Sequence, residues 1–381
     1  MFMRHLSFVA LVIFFYAETT QAGASLENKI LGAYFGTLVS DSLCLGSHYE
    51  YSAESIKKAY GGKVIDKYYG PGEKMNGSTH GIGWGRRNYH PGMKAGDQTD
   101  YGLYNVLTLE YLSSRKDKTS PVDLQKLLPM WERRVSNNWG AWVCTMTRTT
   151  LQQVRQGVSA DRLGGFSNAM SMRSAAAHAV WTDEESIVNA AMKFMFTHRN
   201  EEALGGAKFF AKVAHRIIHQ DLSPREAIDS VTSESPKWLQ DMVETAIAKF
   251  EEATNMDSAL SKEEFVDDLA MTSMARLWDV GKSEPIRVGK ASPTEGVLPG
   301  SIYIILKYAE DFMAAITANA MVGGDNASRG TNIGLVLGAY HGIDAIPRQF
   351  KDSLNQYKRC KKMLMTLPLL KGTVREGSDE L

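Results

Sequence analysis

The sequence predicts an all-α fold, and three observations carry that expectation. Apolar residues after position 25 recur at helical spacing in nearly every segment. Alternating apolar and polar residues bounded by turns are scarce, and no strand–helix–strand unit stands out. Gly330, Gly334 and Gly338 fall every four residues, which lays one smooth stripe along a helix and lets another backbone come close.

The elements follow in chain order. Residues 1–22 combine a basic start, an apolar run from Leu6 to Ala17 and a Thr-Gln-Ala ending, the three parts of a secretory signal peptide. The apolar run is shorter than the roughly 20 residues a membrane span needs, so no membrane insertion is expected after cleavage. Ile30, Leu31, Ala33, Tyr34, Leu38 and Leu45 mark a first amphipathic helix; Leu103 to Tyr111 mark a second. Further helices are predicted over 121–135, 141–156, 168–181, 184–197, 201–220, 236–253, 299–320, 329–341 and 353–367. Two irregular stretches interrupt them: 70–96, with eight glycines, and 282–298, with Pro285 and Pro293. Loops of that length inside a compact chain usually carry function. No linker or repeat divides the chain, so one domain is expected over 25–372. The tail 373–381 ends Ser378-Asp-Glu-Leu381, close to an endoplasmic-reticulum retention signal. Together the two ends predict a protein of the secretory pathway, held in the endoplasmic-reticulum lumen or otherwise secreted.

Composition narrows the function. The 43 Lys+Arg balance 43 Asp+Glu, so the chain lacks the basic excess of a general nucleic-acid binder. Three cysteines, Cys44, Cys144 and Cys360, are too few for a disulfide scaffold. Cys44 and Cys144 lie in apolar-periodic segments and are expected as buried free thiols. Asn76 and Asn326 each head an Asn-x-Ser pattern.

Three short segments set carboxylates beside helix ends: Ser40 to Glu50, Gly96-Asp97-Gln98-Thr99-Asp100, and Gly323-Gly324-Asp325-Asn326-Ala327-Ser328. Asp or Thr before an apolar run is first of all a helix cap. The glycine pair before Asp325 also permits close backbone approach to a ligand. Oxygen-only groups of this kind suit a hard cation such as magnesium rather than zinc.

At these segments the chain resembles the ADP-ribosylglycohydrolase family, which includes the dinitrogenase-reductase-activating glycohydrolases and the J-type crystallins. Leu31-Gly-Ala-Tyr-Phe-Gly36, Gly46-Ser-His-Tyr-Glu50, Ser167-Asn-Ala-Met-Ser-Met-Arg173, Thr197-His198 and Ala318 to Gly342 occur in the family's order. The resemblance implies a multi-helix bundle with a cleft between helix ends that holds one or two Mg2+ ions. It implies Glu50 as the catalytic carboxylate and Asp97, Gln98, Asp325 and Ser328 as metal positions. Asn168, His198, Gly323 and Gly324 would contact the substrate, an ADP-ribose-like ligand or an ADP-ribosylated protein. The implied reaction is hydrolysis of the glycosidic bond between ribose and a protein side chain or related acceptor. The chain also departs from the pattern. Gly96-Asp97-Gln98-Thr99 stands where the family has Thr-Asp-Asp-Thr, and Ala327 where it has a second Asp. Asp100, three residues beyond Asp97, could compensate. The alternative is a non-catalytic ADP-ribose-binding or crystallin-like structural protein with a degenerate metal site.

Overall fold

A computed structural model describes residues 24–372 apart from 83, 138 and 279–284. The signal peptide expected over 1–22 and the tail over 373–381 lie outside the described residues.

The helices follow in the order α1 Leu26–Cys44, α2 Ala53–Ala59, α3 Asp100–Ser114, α4 Leu124–Asn137, α5 Thr145–Arg155, α6 Glu184–Phe194, α7 Glu201–Gln220 and α8 Pro224–Ser233. Then come α9 Lys237–Thr254, α10 Val266–Ser273, α11 Thr294–Lys307, α12 Phe312–Val322, α13 Asn326–His341, α14 Arg348–Ser353 and α15 Tyr357–Leu364. Paired strands among the described residues form two small antiparallel hairpins, Thr79–Gly81 with Gly85–Arg87 and Leu277–Trp278 with Ile286–Arg287. Both grow from or beside the stretches that lacked helical period. The chain is all-α, as its periodicity implied.

Two helices form the centre. From Lys29 to Cys44 every residue of α1 is buried, and α13 is buried from Asn326 to Ala339. A helix enclosed on all sides needs small residues where its neighbours touch it. Gly32 and Gly36 of α1 meet Gly334 and Gly338 of α13 backbone to backbone, and a Cβ at any of the four would collide with the opposite main chain. Around this pair a contiguous apolar cluster runs from Ile30 to Leu370. Peripheral helices show ordinary capping: Asn200 caps α7, and Ser223 with Glu226 forms a capping box on α8.

The differences from the periodicity have local causes. Residues 168–174 are extended, with only a short 3-10 turn at Ala175–Ala179. Tertiary bonds claim the groups a helix would pair internally. The Asn168 carbonyl accepts from Thr294 N, Met170 N donates to Ser292 O, and Asn105 and Thr108 of α3 donate to the Met172 and Arg173 carbonyls. The segment expected at 299–320 is two helices because the chain turns at residues 308–311, where Asp311 caps α12. The segment expected at 353–367 holds α15 at Tyr357–Leu364, after the last residue of α14, Ser353.

All three thiols are free; Cys44 and Cys360 are buried, whereas Cys144 is only half-buried because it caps α5. Asn76 lies exposed in a left-handed turn, and Asn326 is fully buried. Among the described residues no helix is long and apolar enough to cross a membrane.

Candidate active site

A cleft of about 740 Å³ opens where several helix ends meet. Its lining joins the α3 N-terminus (Asp100, Tyr101, Tyr104), the entry to α5 (Trp142, Cys144), the extended segment 166–173 and the α7 N-terminus (Glu201, Glu202). The two hairpins contribute Trp84 and Trp278. Aromatic rings dominate the walls, and Trp84, Phe166 and Trp278 are exposed. Inside, the Arg173 guanidinium stands 3.5 Å from the Tyr104 ring centre, with Nε donating to Ser171 Oγ at 3.1 Å and Nη1 to the Phe194 carbonyl at 3.3 Å. A buried cation held by two hydrogen bonds on a ring face stays in place.

Behind the cleft wall lies Asp325, fully buried at the entry to α13. Tyr101 donates its phenol proton to Asp325 Oδ2 at 2.7 Å, and His48 Nε2 meets Oδ1 at 3.0 Å. His48 Nδ1 is 2.8 Å from His90 Nε2, and His90 Nδ1 accepts the Trp142 backbone N–H at 3.2 Å. A backbone N–H can only donate, so His90 Nδ1 is the acceptor and its proton sits on Nε2. The same logic leaves His48 with a proton on Nε2 aimed at Asp325. Burial, then His48, holds His90 well below the usual imidazole range, which keeps the His90 ring neutral.

Asp100 opens α3 and lines the cleft. It is 6% exposed, and its buried Oδ1 has no hydrogen-bond partner. Burial, followed by the charges of Asp325 and Asp41, raises its carboxyl well above the ordinary range. Asp41, fully buried on α1, accepts from the Thr99 backbone N–H at 2.7 Å and from the Thr99 hydroxyl. Burial pushes Asp41 up to about 7, although the Thr99 bonds pull the other way. Thr99 thus caps α3 and pins it to α1.

The residues expected from sequence are distributed more widely than one cleft. Asn168 and His198 line it: Asn168 Nδ2 donates to Glu202 Oε2 at 3.1 Å, and His198 Nδ1 meets Thr197 Oγ1 at 2.9 Å. Burial, then Arg173, pushes His198 down to about 3. Glu50 faces a second cavity of about 430 Å³ together with Asp268 and Arg287. Tyr51 and Ile82, which pack with Ala291, line both cavities. The Glu50 carboxylate accepts from His80 N at 3.1 Å and Ser52 N at 3.3 Å, with Arg86 at 3.5 Å. Asp97 turns outward, accepting from Asn355 Nδ2 at 2.8 Å and Lys94 N at 3.0 Å. Gln98 is buried beside α1, its amide nitrogen 3.2 Å from the Leu38 carbonyl and 3.0 Å from Asp41 Oδ2 in the orientation that satisfies both ends. Ser328 donates to the Met170 carbonyl at 2.9 Å inside the core. Gly323 and Gly324 have positive φ and press against the backbone of Glu50 and Lys290 rather than leaving room for a ligand. Gly324 N donates to Glu50 O at 2.7 Å and Tyr49 N to Gly324 O at 2.8 Å, which clamps the two loops together.

Residues 22–376 match the ADP-ribosylglycohydrolase family. The chain belongs to that family. A solved structure named "ADP-ribosylglycohydrolase-related protein complex" has the same fold, with a TM-score of 0.55 at 15% identity over 91% of this chain and 99% of that one. No curated protein matches the sequence.

For an ADP-ribosylglycohydrolase the donor set is unusual. Among the described residues no three His, Cys, Asp or Glu side chains converge as a cation site. Asp325 is spent on His48 and Tyr101, Asp97 on Asn355, Gln98 on α1 and Ser328 on Met170. These residues do not fit a magnesium centre of the expected composition. Periodicity and motif reading passed over Asp41, His90, Tyr101 and Arg329. Asp41 sits in the last turn of α1 between Leu38-Val39 and Leu43-Cys44, a carboxylate inside an apolar segment that an ordinary surface helix would not carry.

Proposed function

We propose that the protein hydrolyses the glycosidic bond of an ADP-ribosylated side chain or related ribosyl conjugate, with the aromatic cleft as its substrate site. One observation carries the reading: Asp100 lines the cleft from a helix N-terminus with a buried oxygen that no protein group satisfies. A buried carboxyl lacking a partner is costly unless a ligand completes it. Water must be added across the ribose–acceptor bond, so the acceptor leaves with a proton while water gives one up. Asp100 is placed to hand a proton to the departing atom. Glu202, held by Asn168 on another segment of the lining, is a carboxylate available to the attacking water. The flat rings of Tyr49, Tyr89, Trp84 and Trp142 suit a purine and exclude water from it. The same reading keeps the protein in the secretory pathway, on the strength of residues 1–22 and Ser378–Leu381.

Release of ADP-ribose from proteins modified at Arg, Ser or other acceptors, measured with the purified mature chain, tests the activity. Asp100→Asn should lower kcat about 10²–10⁴-fold with the fold intact. Full turnover in Asp100→Asn would remove Asp100 from the chemistry. Saturable ADP-ribose binding without any turnover would favour a binding module instead.

A further inference from the structure

We propose that this cleft works without a magnesium centre, and that the chain Trp142–His90–His48–Asp325–Tyr101 holds the acid a divalent ion would otherwise take. The inference rests on the functional reading above only for the location of the substrate cleft.

Magnesium demands oxygen ligands in near-octahedral array at about 2.0–2.1 Å, so several lone pairs must point at one spot. Here the groups that would supply them are each engaged with a separate protein partner. Both Asp325 oxygens already accept, from Tyr101 at 2.7 Å and from His48 at 3.0 Å. Withdrawing Asp325 toward a cation would take from the His48 Nε2–H and the Tyr101 hydroxyl, two buried donors, the acceptor they share. The His48 ring cannot swing aside, because it stacks on Tyr49 at 3.9 Å and on His90 at 4.9 Å between centroids. Ala327, on the turn after Asp325, offers a methyl group to the core where a second carboxylate would be needed.

The charge is also provided for. Arg329, one turn further along α13, is fully buried, and its guanidinium donates to Asn319 Oδ1 at 3.0 Å, to the Gly323 carbonyl and toward the Lys290 carbonyl at 3.4 Å. Asp325 is the charge that most favours its ionised form. A fixed side-chain cation therefore stands behind the acid turn, anchored by the Gly323 carbonyl of that turn and by Asn319 and Lys290. An added divalent ion would have to enter beside this cation. The sugar is then oriented by protein groups, with Tyr101 held on one side by Asp325 and Asn168 on the other by Glu202.

The test uses Mn2+ alone, followed by water-proton relaxation, and ADP-ribose binding by calorimetry in EDTA and in Mg2+, all on the mature chain. The expected result is no saturable Mn2+ binding up to about 5 mM. The thermal midpoint should be the same in EDTA and Mg2+, since a ligand that does not bind the native state cannot raise it. ADP-ribose should bind equally in both buffers. Saturable Mn2+ binding that Asp325→Asn or Asp100→Asn weakens at least about tenfold overturns the proposal. So does an ADP-ribose isotherm present only with Mg2+. If ADP-ribose binds in neither buffer, the functional reading falls while the Mn2+ titration still decides the question of the metal.

Discussion

His178 offers a quantitative check on the packing of this fold. It lies fully buried in the turn Ala175–Ala179, and neither ring nitrogen has a hydrogen-bond partner. Burial, and secondarily His215 and His219, pushes it down from 6.5 to about 3. The folded chain therefore keeps His178 neutral across a range where the unfolded chain protonates it. Because the unfolded state binds the extra proton, stability rises with pH between about 3 and 6.5 and is lost as pH falls through that window. Between pH 7 and pH 5 the unfolded ring goes from about one-quarter to nearly fully protonated, which removes about 2 kcal/mol. His178→Leu fills a similar volume with no polar atom and should abolish that share. Urea unfolding at the two pH values reads it directly: the wild-type loss should exceed the variant's by about 2 kcal/mol at unchanged m. Equal losses in the two proteins would mean that His178 protonates freely in the folded state, which a sealed apolar site forbids.

The remaining predictions concern the frame, the second cavity and the compartment. Gly334→Ala places a Cβ against the Gly36 backbone, so it should destabilise by about 1–3 kcal/mol or more in thermal or urea unfolding, since neither helix can give way. Glu50→Gln should weaken its bonds to His80, Ser52 and Arg86 and lower the melting temperature while leaving kcat within about tenfold. A larger loss of kcat at an unchanged melting temperature would return Glu50 to the chemistry. Expressed through a secretory pathway, the chain should carry a glycan that Asn76→Gln removes and Asn326→Gln does not, because only Asn76 is exposed; mass spectrometry of the two variants decides.

Much of the architecture was legible because helices announce themselves by period. Glu201–Gln220 is a helix over the very residues expected, and the glycine stripe of α13 does bring a second backbone close. Segment 168–181 misled because its apolar spacing reflects burial, whereas its backbone bonds run to α3, α11 and residue 292, far away in sequence. Short helices such as Ala53–Ala59 escaped for want of enough turns to show a period. At the site, motifs indicated which loops meet but not which way each side chain turns. Asp97 and Asp100 differ by three residues, and only the cap formed by Thr99 settles that Asp100 faces the cleft and Asp97 the surface. His215 and His219 stand one turn apart on α7 with ring centroids 4.8 Å apart, an i,i+4 pair visible in the sequence that motif reading missed.

The glycine contact between α1 and α13 has a consequence for how this protein can change over time. With backbones touching, the two helices have no side-chain cushion that could absorb a shift, and Asp41 and Asp325 are each a fixed number of residues from that contact. Losing one residue between Gly36 and Asp41 would swing Asp41 by about 100° around its helix and away from Thr99. The pair thus acts as a ruler whose graduations are whole residues. Descendants of this sequence can lengthen, shorten or rewrite the hairpins at the mouth of the cleft, but they inherit the lengths of these two helices intact.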